Sequence, residues 1–113
     1  MVKILLKHAM IESSLMGTHA TAPIYLAAES ARVDVVRLLL RDGRCEVNWK
    51  DPVGRTALHV AAERGNATTV QLLMQDERVD VNIADNSGAT PLYRAIRNAR
   101  GTVVQLLLSR DDI

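Results

Sequence analysis

Three stretches of this chain carry small, aliphatic and polar residues in the same columns at a constant offset of 34 residues. Ala22 to Leu40 reads APIYLAAESARVDVVRLLL, Thr56 to Met74 reads TALHVAAERGNATTVQLLM, and Thr90 to Leu108 reads TPLYRAIRNARGTVVQLLL. Such a register constrains the fold more than composition does, because every copy must adopt the same local structure and present matching faces to its neighbours. A unit of this size cannot bury both of its faces alone, so stability must come from stacking.

Within each unit a short helix is expected to begin at Pro23, Ala57 or Pro91. Thr56 and Thr90 are suited to cap it, and proline at the first helical position gives up no needed hydrogen bond. The first unit has Ala22 in that column, so its cap comes from Thr21 or is missing, at a cost of about 1 kcal/mol. Ala27-Ala28, Ala61-Ala62 and Ala95-Ile96 stand where neighbouring helices must approach closely, and Gly65 ends the middle helix at a position that needs positive φ. A second helix follows in each unit. Val35-Val36-Leu38-Leu39, Thr69-Val70-Leu72-Leu73 and Val103-Val104-Leu106-Leu107 give it an apolar stripe at helical spacing, opposite polar Arg37, Gln71 and Gln105. Between units, Val47 or Val81 is set before a connection that ends in the turn signals Asp51 and Gly54, or Asp85 and Gly88.

Shifting the register back by 34 residues places Val2 to Lys7 under Val36 to Arg41, so the chain opens inside the second helix of an incomplete unit. Its 113 residues suit one slender domain. Phe is absent and only Trp49, Tyr25 and Tyr93 are aromatic, so the core must be built from Leu, Val, Ile and Ala, which favours stacked helices over a bulky sandwich. A net charge of +1 offers no general attraction to nucleic acid or to anionic lipid. MVKILLKHAMI is too short and too charged for a membrane span, and no signal-like cleavage site follows it, which points to an intracellular setting. The one cysteine, Cys45, shares a column with Val79 and Ile113 and reads as a buried, inert thiol.

The units DPVGRTALHVAAERGNATTVQLL and DNSGATPLYRAIRNARGTVVQLL resemble ankyrin repeats, with the family's Asp-x-x-Gly-x-Thr-Pro-Leu-His-x-Ala-Ala pattern followed by a Val-Val-x-Leu-Leu helix. The resemblance implies an all-α ankyrin-repeat solenoid of stacked helix-turn-helix units with short hairpin connections. It would comprise a half repeat over 1–16 and repeats at about 17–50, 51–84 and 85–113. One residue is added to the usual ankyrin period around Asp42 to Cys45 and Asp76 to Val79, a variant similar to arrays in large fungal signalling proteins. Tyr25 and Tyr93 stand where the family has His, which leaves His59 alone in that column.

Chemistry is sparse. His8, His19 and His59 are too scattered for a metal set, no cysteine pair has ligand spacing, and no phosphate loop or nucleophile elbow occurs. No catalytic, metal or cofactor site is therefore expected. His59 reads as a structural imidazole hydrogen-bonded to Thr56 and nearby backbone.

The resemblance implies that a partner protein binds the hairpin tips and the concave edge of the inner helices. The tip candidates are His19, Lys50, Pro52, Val53, Arg55, Asn86 and Ser87. On the inner helices they are Glu29, Glu63, Arg64, Arg97 and Asn98. Trp49 beside the second hairpin is either a packing residue or a binding anchor. Arg94, Arg97 and Arg100 recur at a spacing of three on the last inner helix and read either as a polar cap or as a contact for an acidic partner.

The expectation is thus a non-enzymatic protein-binding module, the alternative being a structural spacer or regulatory segment of a larger multidomain protein. Both ends look cut from a longer array. Val2, Leu5, Leu6 and the Leu106 to Leu108 helix would then leave apolar ends through which copies self-associate.

Overall fold

The computed structural model describes residues 22–110. His19, the half repeat at 1–16 and the apolar Val2, Leu5 and Leu6 lie outside the described residues. Among the described residues six helices follow one another: α1 (Pro23–Glu29), α2 (Val33–Arg41), α3 (Ala57–Arg64), α4 (Ala67–Gln75), α5 (Pro91–Arg97) and α6 (Gly101–Leu108). Each unit is a pair, α1 with α2, α3 with α4 and α5 with α6. Like helices stack on like, so α1, α3 and α5 form an inner row while α2, α4 and α6 form an outer one. Among the described residues there is no β-strand.

The inner helices are short because both of their ends are specified locally. Thr56 and Thr90 cap α3 and α5, accepting from the amides of His59 and Tyr93 respectively, whereas Ala22 provides no side-chain cap for α1. At the other end, Gly65 takes φ 74° and its amide bonds back into the last turn of α3. Ala31 and Ala99 fill the same column and are forced into the same left-handed region, with φ 55° and 56°. An L residue there is strained by about 1–2 kcal/mol.

The inner row packs on both sides and explains the small residues. Ala27, Ala28, Ala57, Ala61, Ala62 and Ala95 are all buried. Ile96, expected to sit among them, is instead 58% exposed, although Ala28 and Ala62 in its column are sealed at 0%. That column faces forward along the stack, and no described unit lies ahead of α5. Ala95 remains fully buried because its column faces back toward α3.

The outer helices bury one face each, Val36 and Leu39 in α2, Thr69, Val70 and Leu73 in α4, and Val103 and Leu107 in α6. Val35, Leu40, Leu72, Met74, Val104 and Leu106 are half-buried around them, while Arg37, Gln71 and Gln105 are exposed. The stripe is thus narrower than its sequence suggests, with Leu73 at its centre and Leu72 on its margin.

Candidate functional site

The connections that precede α3 and α5 are built around a single aspartate each. Asp51 Oδ1 accepts from the amides of Val53 (3.0 Å) and Arg55 (2.8 Å), and the Asp51 amide bonds to the Arg55 carbonyl. Asp85 repeats this with the amides of Ser87 (2.9 Å) and Ala89 (3.0 Å). Gly54 and Gly88 close the two turns at φ 85° and 82°, a region that glycine enters without strain. The tips are then presented outward: Pro52, Val53, Asn86 and Ser87 are all exposed, as is Lys50.

Neighbouring tips are tied together. The Asn86 amide donates to the Val53 carbonyl at 2.9 Å, and Asn86 Nδ2 donates to the Pro52 carbonyl at 3.1 Å. A methyl group added at Gly54 would lie 2.6 Å from Asn86 Oδ1, whereas one at Gly88 would meet nothing within 4 Å. Asn86 therefore belongs to the joint between hairpins as well as to their outer surface.

Beneath the tips lies a polar interlock made by the column Tyr25, His59, Tyr93. The Tyr25 hydroxyl donates to Asp51 Oδ2 at 2.6 Å, and Arg55 Nε donates to the same oxygen at 3.0 Å. Arg55 continues to the Tyr25 oxygen (3.2 Å) and to Glu63 Oε2 (3.5 Å). Burial alone would raise the Asp51 carboxyl, but the Tyr25 hydroxyl, the Arg55 group and the Val53 amide outweigh it and hold it below the usual range. Burial and the bond to Asp51 push Tyr25 up to about 12 against the pull of Arg55. In the next unit, His59 Nε2 lies 2.8 Å from the Ala89 carbonyl oxygen, while Nδ1 lies 3.2 Å from the Thr56 amide nitrogen. A carbonyl can only accept and an amide N–H can only donate, so the ring is the neutral tautomer with its proton on Nε2. Burial holds its pKa below the usual histidine value. His59 is structural, as expected, but its second partner comes from the following repeat.

Of the three arginines expected on the last inner helix, Arg94 and Arg97 lie on it and Arg100 does not. The helix ends at Arg97, and Arg100 precedes α6, where its Nε donates to the Glu63 carbonyl at 2.9 Å. Arg94 turns back to Asp85, with Nη2 at 2.7 Å from a carboxylate that is almost wholly buried. Burial alone would raise Asp85, but Arg94 and the Ala89 and Ser87 amides bring it down to about 2. The spacing of three assigned all these arginines to one helix in the sequence; the turn at Ala99 takes Arg100 off it.

The predicted contact residues thus fall into two groups. Lys50, Pro52, Val53, Ser87, Arg64 and Arg97 are exposed, and Glu29 and Glu63 are half-buried on the inner helices. Arg55 is taken up by the interlock, Asn86 by the hairpin joint, and Asn98 Nδ2 donates to the Arg94 carbonyl at 2.8 Å. Trp49 is half-buried against the core, its ring edge-on to Tyr25 with centroids 5.3 Å apart. Cys45 is half-buried rather than fully buried, and burial pushes its thiol up to about 11, which keeps it protonated and unreactive at neutral pH.

Tyr93 escaped the list of candidates and is 50% exposed, where Tyr25 in the same column is 5% exposed. The difference in exposure has no sequence signal, since both residues are tyrosines in matching contexts. Tyr93, Arg94 and Arg97 line an opening of about 410 Å³ with Ser87, Gly88 and Ala89. Among the described residues no cluster of three or more His, Cys, Asp or Glu is placed to hold a metal ion, and no helix is long and apolar enough to cross a membrane.

Helix pairs recurring at 34 residues, with each turn locked to its neighbours by polar bonds, define a helical-repeat protein with an exposed row of turns. The chain belongs to the ankyrin-repeat family: the model for ankyrin repeats (3 copies) matches residues 24–113. Among curated proteins no match is found. Ankyrin repeats are generally protein–protein interaction modules and non-enzymatic scaffolds.

Proposed function

We infer that this chain binds a partner protein through its hairpin tips and the concave edge of its inner helices. The observation that carries this reading is the division of labour within each turn. The aspartate and the glycine are spent on shaping the turn and bonding to the next unit, and the tip residues Lys50, Pro52, Val53 and Ser87 remain exposed on a backbone held rigid by those bonds. A surface already ordered before binding loses little conformational entropy on association. Glu63, Arg64, Arg97 and Asn98 extend it along the inner helices. Trp49 supports the second tip from beneath.

The test is affinity capture with the folded chain against a Lys50→Glu, Arg64→Glu double variant. Both side chains are exposed, so the substitutions leave the stack intact. Arg55 is unsuitable for this purpose because its loss would break the interlock with Asp51 and Tyr25. Partners retained by the parent chain and lost by the double variant are the expected result. An unchanged set of partners would remove the concave surface from consideration.

A further inference from the structure

Each inner helix ends on a charged residue, Glu29 in α1, Arg64 in α3 and Arg97 in α5. None of the three has an ionic partner among the described residues. The other charges of the inner row are compensated: Glu63 lies 3.5 Å from Arg55, and Arg94 lies 2.7 Å from Asp85. Arg32 belongs to a different row, since Asn66 and Arg100 in its column reach back to the Ala28 and Glu63 carbonyls. From the first unit to the third, the uncompensated charge along the inner row therefore runs negative, positive, positive. The row is open to solvent even where a repeat packs on both sides of it. In the middle unit the Glu63 side chain is 33% exposed and Arg64 is exposed.

We propose that the partner protein lays a linear segment across the inner row with its charges in the complementary order, a basic residue against Glu29 and acidic residues against Arg64 and Arg97. This order rests on the concave-surface reading above and adds to it the charge pattern that the bound segment must carry. Stacked helices lie about 8–10 Å apart, and an extended chain advances about 3.3 Å per residue. The acidic residues of the segment are therefore about three and about six positions from the basic one. A segment with the reverse order would set like charges against each other at both ends of the row, which rejects it. Lys50, exposed at the tip of the second unit, adds positive charge on the side where the segment is acidic.

The test is selection of a displayed library of random linear peptides, long enough to span the three helices, on the folded full chain. Enriched peptides are expected to carry a basic residue with acidic residues about three and six positions away. An enriched peptide should bind about fivefold or more weakly to a Glu29→Arg, Arg97→Glu double variant, and the loss should shrink in high salt. Exchanging the terminal charges of the peptide should restore its binding to that variant, a gain that an unfolded chain cannot produce. Enriched peptides without this order, or with affinity unchanged by the double exchange, overturn the assignment. If such peptides still lose affinity for the Lys50→Glu, Arg64→Glu variant, the concave surface itself stands. Peptides indifferent to all four substitutions overturn both readings, and a library that yields no binder overturns the linear segment.

Discussion

The imidazole Nε2 of His59 lies 2.8 Å from the carbonyl oxygen of Ala89, thirty residues along the chain. Through it the middle inner helix is bonded to the turn that opens the third unit, and Nδ1 at the same time accepts from the Thr56 amide at its own N-terminus. Both nitrogens are committed and the ring is fully buried. His59→Ala would leave the Ala89 carbonyl and the Thr56 amide without these partners and would open a cavity. A loss of about 2–4 kcal/mol is expected in urea unfolding. A loss below about 0.5 kcal/mol, the ordinary range for surface changes, would show that the bond is dispensable.

Acid should destabilise the fold in two stages. The folded pKa of His59 is lowered, so the stability it contributes is present above its unfolded value of about 6.5 and is lost as pH falls through the lower folded value. Asp85 is also depressed, to about 2. Its contribution is present above the unfolded value of about 3.9 and disappears as pH falls toward the folded one. Urea midpoints measured across this range should decline first below neutrality and again below about pH 4. In Asp85→Asn the second decline should shrink, and an unaltered acid limb would refute the assignment.

Tyr25 predicts the opposite behaviour in base. Its folded pKa is raised to about 12, so the stability from its hydroxyl is fully present below the unfolded value of about 10 and is lost as pH rises through the folded value. Tyrosinate absorbance should show one group that ionises only near 12, together with loss of helix. Tyr25→Phe should abolish that late step. By leaving Asp51 Oδ2 with one donor fewer, it should also cost about 1–3 kcal/mol. A late step that survives in the variant would place the buried hydroxyl elsewhere.

Ala99 takes a left-handed backbone conformation where its counterpart Gly65 is relaxed. Ala99→Gly removes about 1–2 kcal/mol of strain but adds back about 0.4–1 kcal/mol of freedom in the unfolded chain. A net gain of about 0.5–1 kcal/mol should appear as a higher melting temperature. Ala31→Gly should behave alike, and a loss of stability in both would contradict the strain.

Two neighbouring positions on α4 should respond in opposite senses. Thr69 is buried and its hydroxyl oxygen has no hydrogen-bond partner, while Val35 and Val103 hold the same column in the other units. Thr69→Val keeps the shape and removes an uncompensated polar group, so a gain of about 1 kcal/mol is expected. Leu73→Ala empties the centre of the stripe and should cost about 2–5 kcal/mol, with Leu72→Ala costing distinctly less. Equal penalties for Leu72 and Leu73 in chemical denaturation would contradict the burial pattern.

Most of the architecture was legible from the columns alone. Thr56 and Thr90 cap their helices, Gly65 has positive φ, and Val47 and Val81 are buried, because each of these depends on a residue and its immediate neighbours. The left-handed Ala31 and Ala99 were not legible, since nothing about alanine announces a position that glycine fills in the next unit. The candidate contacts were legible only as a set of columns. Whether Arg55 faces a partner or Asp51, and whether Arg94 forms a basic surface or an ion pair with Asp85, depends on residues that the fold brings into contact.

By itself the amino-acid sequence determined the repeating unit, its caps, its turns and its apolar stripe, all of which follow from periodicity and local backbone preference. Only the tertiary structure decided which way each column faces along the stack. Tyr25 is sealed and bonded to a carboxylate while Tyr93 is half exposed beside Arg97. The two residues are identical and their local settings match, so the difference arises from what is packed ahead of them, which is a property of the array and not of the unit.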